Sequence, residues 1–441
     1  MTRDLSMSPP LPIRERGFRV SLLLAIALVA LAGCSLHPGG EQIAWQVGSQ
    51  LWVANPDGSD ARLIAGGGVA GFSWSPDHHE LAYRTTSGAN PVPAGAPWAA
   101  AETPSEIAIS SISGGTPTQI TPNANGLTRS DAWWNTQGNR LLYREYGAGA
   151  ALAPVYYDSQ NDQPVGIARK AVLHSASLPT LAPDGQRVAV IDPTGDLRVG
   201  PPTQTGSVMA RGAVPYLPGT GRPARLLWRP NHDQIVYPTA GDGADATTLR
   251  LLDLASGKST PITSLTGLED ASFSPDGASL LLHTASGLLI WPLGAQAPQA
   301  SIADSDPLLQ AWWSPNARWL LTADASGLRL YSAARHWASV ATLTYATPLR
   351  EPQVSSNTPW RPETINPWSS DGTALVFASP AARWQSASLP APRAGSAGVY
   401  VEQISANGPT GSLALIASGD VTTPSWSSVD PSTALLTPAV G

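Results

Sequence analysis

Short runs in which apolar and polar residues alternate extend from about residue 42 to residue 436, and eight of them share one phrase. Each copy has an apolar strand that usually ends in Trp, a tight polar turn and a second apolar strand. The copies begin at Phe72, Ala132, Pro179, Leu226, Ala271, Ala311, Asn366 and Pro424. Period-two alternation bounded by Gly, Pro and Asp predicts β-hairpins. No amphipathic helical stretch of useful length follows the N-terminus.

The spacing of the copies indicates what surrounds each hairpin. Successive turn positions lie 40 to 60 residues apart. Each hairpin is followed by a third strand and a short fourth strand, as in residues 106–121 (EIAISSISGGTPTQIT) and 248–263 (TLRLLDLASGKSTPIT). Four strands of average length with their turns occupy roughly 40 to 45 residues. The spacing therefore predicts a repeated four-stranded antiparallel sheet and an all-β chain.

The turn sequence Ser-Pro-Asp-Gly has a physical reason to recur. Pro presets the backbone for the turn, Asp can bond its own backbone, and Gly accepts the left-handed conformation that closes a bulged hairpin. Two positions before the turn residue stand Trp74, Trp134, Leu181, Trp228, Phe273, Trp313, Trp368 and Trp426. Because only 7% of the chain is aromatic, six Trp at one repeat position indicate a packing role between neighbouring sheets rather than ligand stacking.

The two ends of the repeat region complete one another. Residues 42–64 have the later strands of a unit without an opening hairpin, whereas the copy from Pro424 has the opening without the later strands. Joining them would close the array into a ring and remove its exposed sheet edges. This gives eight units, or seven if the copy from Pro179, which lacks the aromatic residue, is a degenerate insertion.

The hairpin phrase, followed by LWVANPDGSDARLI at residues 51–64, resembles the TolB-like propeller repeat, a relative of WD repeats. The resemblance covers residues 43–436. It implies a single β-propeller over residues 42–441, most simply of eight four-stranded blades, with seven as the alternative. TolB itself is similar to six blades plus a small α/β domain, for which this chain has no room, so a Tol-system role is not expected. The fold hosts many functions and does not select one.

The N-terminus predicts export and a lipid anchor. Arg14, Arg16 and Arg19 precede an apolar run that is too short for a confident membrane span and fits a signal peptide. Residues 31–34 (LAGC) resemble a lipobox, which implies acylation of Cys34, the single cysteine. We predict a signal peptide at residues 1–33, a tether at 34–41 and an extracytoplasmic protein anchored to a bacterial membrane, either at the outer leaflet of the cytoplasmic membrane or at the outer membrane. The alternative is an ordinary Cys in a signal anchor.

The net charge and the candidate catalytic and metal-binding motifs limit the functions that the sequence supports. Without the four Arg and two acids that precede Cys34, 22 basic and 30 acidic residues remain, which argues against binding to a phosphate backbone. We expect no nucleic-acid partner and no cofactor. Residues 394–398 (AGSAG) resemble a nucleophile elbow but lie in a Pro/Ala-rich loop. His78, His79 and Glu80 lie in a hairpin turn without a further metal ligand at useful spacing. We assign no catalytic residue and no metal ligand.

Acidic residues that precede the first strands of their units would lie near the axial opening. They are Asp131, Glu269, Asp270, Asp304 and Asp306. Such carboxylates could bind a cation in the channel, although loop acids are more often solvated. They are the basis of the alternative function, a propeller-type hydrolase or lactonase with an axial carboxylate or metal site.

Three long insertions, residues 86–105, 347–366 and 378–397, are the most function-like segments. In WD-type strand order their connections emerge on the same side and share one sector. They contain Trp98, Trp360, Trp384, Arg350, Arg361, Arg383 and Arg393. Trp and Arg are favoured at binding hot spots, so these residues are our candidates for partner binding, unless the insertions are plain Ala/Pro linkers. Our leading hypothesis is a membrane-tethered binding or scaffold propeller, without enzymatic activity, for a protein or an envelope glycan.

Overall fold

The structure, a computed structural model, describes part of the chain. The described residues are 40–86, 105–121, 128–129, 132–134, 138, 140–146, 153–158, 163–166, 180–183, 186–201, 206–220, 224–303, 308–324, 327–344, 366–379, 383–385, 397–419, 421–427 and 434–436. The chain divides into two units, Met1–Gly40 and Glu41–Gly441. The described residues of the second unit form 34 β-strands and one 3-10 turn, Ala333–Arg335. The prediction of an all-β chain is confirmed.

These strands form eight antiparallel sheets, named here for their order along the chain. The closing sheet contains β1 (Ile43–Val47), β2 (Gln50–Ala54), β3 (Arg62–Ala65) and β33 (Val421–Trp426). Sheet 1 contains β4 (Val69–Trp74), β5 (Glu80–Thr86), β6 (Ser105–Ser111) and β7 (Thr118–Gln119). Sheet 2 contains β8 (Thr128–Arg129), β9 (Trp133–Trp134), β10 (Arg140–Tyr146), β11 (Ala153–Asp158) and β12 (Gln163–Gly166).

The remaining five sheets follow in chain order. Sheet 3 contains β13 (Thr180–Leu181), β14 (Val188–Ile191), β15 (Leu197–Gly200) and β16 (Ser207–Ala210). Sheet 4 contains β17 (Leu227–Trp228), β18 (Gln234–Ala240), β19 (Ala246–Asp253) and β20 (Ser259–Thr266). Sheet 5 contains β21 (Leu268–Phe273), β22 (Ser279–Thr284), β23 (Gly287–Pro292) and β24 (Ala300–Ala303). Sheet 6 contains β25 (Leu308–Trp313), β26 (Trp319–Asp324), β27 (Gly327–Ser332), β28 (Ala338–Thr344), β30 (Arg383–Gln385) and β34 (Ala434–Leu436). Sheet 7 contains β29 (Ala374–Ser379), β31 (Gly398–Ser405) and β32 (Gly408–Ser418).

Side-chain hydrogen bonds close the repeated hairpin turn. In sheet 5, the Ser274 hydroxyl donates to Asp276 Oδ1 (2.6 Å) and accepts from the Ser279 amide (2.9 Å). Asp276 Oδ1 also accepts from the Ala278 amide (3.0 Å), and Gly277 has φ +66°. The same Ser hydroxyl bonds recur at Ser75, Ser314 and Ser369. The predicted roles of Asp and Gly are confirmed, and Ser adds a bond across the turn.

The aromatic residue that seven of the eight copies carry two positions before the turn is buried between sheets. The exposed fraction is 6% or less for Trp74, Trp134, Trp228, Phe273, Trp313, Trp368 and Trp426. Trp74 lies in one buried cluster with Leu51 and Val53 of the closing sheet, and Trp426 lies in another with Val376 of sheet 7. Each of these rings therefore packs on the preceding sheet. The packing interpretation of this position is confirmed.

The closing sheet joins the two ends of the second unit. Strand β33 pairs with β1, which pairs in turn with β2, and β2 with β3. The Ser427 amide donates to the Gln42 carbonyl (2.9 Å), and the Gln42 amide donates to the Ser427 hydroxyl (3.2 Å). One strand from the end and three from the beginning thus complete the ring of a β-propeller, as predicted. The blade number stays a prediction, because sheets 2, 6 and 7 depart from the four-stranded pattern.

The last copy of the phrase does not form its own hairpin. Residues 424–436 were expected to give two paired strands, but β1 takes the second position beside β33, and the residues that follow pair elsewhere. Strand β34 pairs with the first strand of sheet 6, with Leu435 opposite Ala311. Since the first strand of a blade lies at the propeller axis, β34 runs along the wall of the channel. The expectation of a terminal hairpin was wrong, because β1 already pairs with the edge of β33 that the second strand of a hairpin would occupy.

The strand order separates the connections of this unit onto two sides. We name the side with the first-to-second and third-to-fourth connections the hairpin face; His79 and Asn407 lie there. We name the side with the second-to-third and sheet-to-sheet connections the connection face; Thr86 and Ser418 lie there. Thr86 ends a second strand and Ser418 ends the outer strand of sheet 7. Because β1 is a second strand, the chain enters the ring from the hairpin face at Gln42.

Candidate binding face

Two of the three insertions begin and end on the connection face, and the third begins there. The first lies between β5 and β6, whose flanking residues Thr86 and Ser105 are paired. Another lies between β29 and β31, where Ser379 pairs with Gly398. The remaining one follows β28, the fourth strand of sheet 6, and precedes Trp368, which bridges sheet 7. The strands that flank the insertions thus confirm their predicted placement in two second-to-third connections and one sheet-to-sheet connection.

Most of the predicted partner-binding residues lie outside the described residues. They are Trp98, Arg350, Trp360, Arg361 and Arg393, and Cys34 is outside them as well. Arg383 and Trp384 are described by their backbone alone, as part of β30. The structure therefore brings Arg383 and Trp384 to sheet 6, and the shared sector of the full set stays a prediction.

Strand β30 is a feature that sequence reasoning missed. It lies within the insertion at residues 378–397 and pairs with β28, with Trp384 opposite Leu343 and Arg383 opposite Thr344. The insertion of sheet 7 therefore reaches back to cover the outer edge of sheet 6. Covering an open edge prevents it from pairing with other chains. Three residues in a Pro/Ala-rich segment carry no alternation, so no local signal predicts a strand here.

The axial carboxylates that are described have cationic or imidazole partners. Arg225 Nη1 donates to Asp270 Oδ2 at 2.9 Å, and their side chains are 11% and 5% exposed. Glu269 Oε2 lies 3.3 Å from His283 Nδ1. Arg225 and Asp270 stand three residues before Trp228 and Phe273, so the ion pair joins equivalent positions of sheets 4 and 5. The Arg225–Asp270 pair therefore joins neighbouring sheets, whereas the Glu269–His283 contact lies within sheet 5, between β21 and β22. Asp131, Asp304 and Asp306 lie outside the described residues.

The two histidines considered as metal ligands lie in the turn of sheet 1. His78 takes the left-handed position that Gly occupies in other copies, with φ +65°. Its Nδ1 lies 2.8 Å from the Ser427 hydroxyl, next to the seam between β33 and β1. This contact gives His78 a structural role in closing the ring. Among the described residues, no group of three or more His, Cys, Asp or Glu is arranged to hold a metal ion.

Glu402 of β31 is the most deeply buried carboxylate described. It is 0% exposed, and its Oε1 accepts from the Gly411 amide (2.7 Å) and the Thr410 hydroxyl (3.3 Å). Burial raises the pKa of this carboxyl. Both partners belong to β32, the adjacent strand, and the register between the two strands shifts beside Glu402. We assign this carboxylate to the bulged hairpin and not to a reaction.

Comparisons with known proteins add structures that resemble the fold. No protein-family model matches the sequence, and no curated protein matches it. Similar solved structures include a eukaryotic initiation factor (TM-score 0.49, 12% identity, covering 88% of this chain and 98% of the other) and the C-terminal WD40 domain of Sif2 (TM-score 0.44, 14% identity, covering 76% and 82%). TolB from Acinetobacter baumannii gives a TM-score of 0.38 with 11% identity, covering 88% and 82%.

These structures include the two repeat types that the hairpin phrase resembles. All three TM-scores are below 0.5 and all three identities are below 15%. The assignment of a β-propeller therefore stands on the sheet order, the buried aromatic residues and the ring closure described above. The described residues include no helix that is long and apolar enough to cross a membrane.

Proposed function

We propose that this protein is a lipid-anchored, extracytoplasmic propeller that binds a protein or an envelope glycan through its connection face. The observation that carries the proposal is the topology of ring closure. Because β1 occupies the second position of the closing sheet, the chain enters the ring on the hairpin face. The three long insertions leave from the opposite face.

The short tether limits how the propeller can be oriented at the membrane. Ser35 to Gly40 supply six residues, which span at most about 20 Å when fully extended. A propeller acylated at Cys34 would therefore stay close to the membrane with its hairpin face toward the lipid. The connection face, with Trp98, Trp360 and Trp384, would then point outward. Aromatic rings among Pro-rich loops suit an extended protein or glycan surface better than a small substrate, which would need a closed pocket.

The contacts of the axial acids favour a binding function over the hydrolase or lactonase alternative. A catalytic or metal-binding carboxylate at the channel mouth has to face the substrate or the metal. Asp270 instead forms a buried ion pair with Arg225, and Glu269 faces His283. In addition, β34 lies along β25 at the channel wall, where it takes up space that a substrate would need.

Replacing Cys34 with Ala is expected to abolish lipid modification and normal processing of the precursor, because the thiol is the acceptor in the proposed lipobox. Metabolic labelling with a clickable fatty acid, followed by gel fluorescence, measures the modification. Wild type should be labelled and the variant should not. Equal labelling of the two proteins would rule out Cys34 as the lipid site.

Shortening the first insertion is expected to remove partner capture while the fold is retained. Thr86 and Ser105 are already paired, so residues 88–103 can be replaced by a two-residue Asn-Gly turn, which favours a tight hairpin. Surface loops tolerate such changes in length at small cost. Chemical crosslinking in the native cell, followed by mass spectrometry, measures which partners are recovered.

The matched control shortens a connection on the other face. Residues 57–59 lie in the third-to-fourth connection of the closing sheet, on the hairpin face, and their replacement by Asn-Gly should leave the partners unchanged. Both variants should unfold at nearly the temperature of wild type. Recovery of the same partners at undiminished yield from the variant that lacks residues 88–103 would contradict the role of the first insertion.

A further inference from the structure

A groove between sheets 3 and 4 has the composition of an anion site. Its volume is about 470 Å³, within the range of small-molecule sites. One wall is the end of β16 with the turn that follows it, Met209 to Gly212, and the other wall is the face of sheet 4. From sheet 4 come Tyr237, Thr239, Arg250, Gly257 and Ser259. Two arginines thus line the groove, and none of its lining residues is acidic.

The backbone around Arg211 is fixed on both sides of the groove. Gly212 has φ +73°, which lets the chain turn sharply after Arg211. The Ala213 amide then donates to the Gly195 carbonyl (2.9 Å) in sheet 3, and the Val214 amide donates to the Pro238 carbonyl (3.0 Å) in sheet 4. Arg211 is therefore held at the mouth of the groove, although its side chain is 85% exposed.

Among the residues that the structure describes, the guanidinium of Arg211 has only one weak partner. Its Nε lies 3.9 Å from Asp196 Oδ1, which is beyond hydrogen-bonding distance. Asp196 also lies 3.6 Å from Arg198 Nη2, so its negative charge is shared between two arginines. The donors of Arg211 remain available to an incoming ligand.

The side chain of Arg250 is held in place by residues that line the groove. Its Nε donates to the Ser259 hydroxyl (3.0 Å), and its Nη2 donates to the Ser259 carbonyl (3.3 Å). The hydroxyl of Tyr237, a residue only 2% exposed, lies 2.8 Å from the same Ser259 hydroxyl. This network fixes one edge of the guanidinium, and Nη1 makes no hydrogen bond to any residue that the structure describes.

We propose that this groove binds a small anion whose carboxylate, phosphate or sulfate group lies between Arg211 and Arg250. Guanidinium groups match such planar or tetrahedral oxyanions with paired, charge-assisted hydrogen bonds. A positive groove is notable in a chain with a net charge of −6, because the overall field would repel the same ligand elsewhere on the surface. The proposal does not depend on the lipid anchor or on the three insertions.

Calorimetric titration of the full-length protein in detergent tests the proposal with three probes: sodium phosphate, sodium glucuronate and glucose. Wild type should bind at least one of the two anions with a dissociation constant at or below about 1 mM, more weakly as salt is added, and should not bind glucose. Binding of phosphate alone assigns a phosphate-type ligand, and binding of glucuronate alone assigns a carboxylate. The proposal would be overturned if neither anion bound, or if glucose and glucuronate bound equally well.

Substitutions locate the binding. Arg211→Ala should weaken it by roughly 10-fold or more, since a charged hydrogen-bond donor is lost, and the exposed position of Arg211 means that the fold should be kept. Arg250→Lys keeps the charge but loses the planar guanidinium that donates paired hydrogen bonds, so it should weaken binding as well. Arg335→Ala removes an exposed arginine that does not line the groove and should change nothing. If Arg211→Ala binds like wild type, or if Arg335→Ala weakens binding equally, the groove is not the site.

Discussion

A chain that ends at Gly419 is expected to lose its cooperative fold. This truncation removes β33, the first strand of the closing sheet, and with it Trp426, which is fully buried between the closing sheet and sheet 7. Loss of one buried Trp alone costs about 3–5 kcal/mol, and the hydrogen bonds between β33 and β1 are lost as well. Because a domain is stable by only about 5–15 kcal/mol, the ring should open. Urea unfolding followed by Trp fluorescence measures the effect.

A chain that ends at Ser427 is the matched control. It keeps β33 and removes only β34 and the residues around it. Since β34 adds to an edge of sheet 6 and does not close the ring, this protein should still unfold in one cooperative transition close to that of wild type. Equal loss of cooperativity in the two truncated proteins would show that the closing strand has no special role.

Trp313→Ala is expected to lower the free energy of unfolding by about 3–5 kcal/mol. Trp313 is 3% exposed and meets Trp337 edge to face, with ring centroids 5.2 Å apart and an interplanar angle of 82°. Its ring also lies in one buried cluster with Leu281 and Leu288 of sheet 5. The substitution leaves a cavity between sheets 5 and 6 that neighbouring strands cannot fill. Denaturant titration gives the change directly.

Tyr216→Ala is the control for an aromatic residue outside the core. Tyr216 is 50% exposed, so its truncation should cost less than about 1 kcal/mol. A similar loss of stability for Tyr216→Ala and Trp313→Ala would mean that the repeated aromatic position has no special packing role.

The repeated hairpins could be predicted because their signals are local. Alternation, the Ser-Pro-Asp-Gly turn and the aromatic residue before it all lie within about a dozen neighbouring positions. This local pattern is enough to place Trp74 and Phe273 in the core. The ring closure was also predictable, since residues 42–64 and the copy from Pro424 each lack what the other supplies.

The remaining features depend on contacts between distant residues. Strand β34 pairs with β25 more than 100 residues earlier in the chain, and no local pattern distinguishes it from the second strand of a hairpin. The pairing of Arg225 with Asp270 likewise arises only when neighbouring sheets are packed. The groove between sheets 3 and 4 was missed for the same reason, because Arg211 and Arg250 come together only across two sheets.

Site-specific photo-crosslinking in the native cell tests the central claim most directly, since it compares the two faces at opposite ends of the same strands. A photoreactive amino acid is placed at Thr86 or Ser418 on the connection face, and at His79 or Asn407 on the hairpin face. Thr86 and His79 flank β5, and Ser418 and Asn407 flank β32. The proposed function predicts that the partner crosslinks from Thr86 and Ser418 and not from the other two positions. Crosslinks to the partner from His79 and Asn407 alone would contradict it.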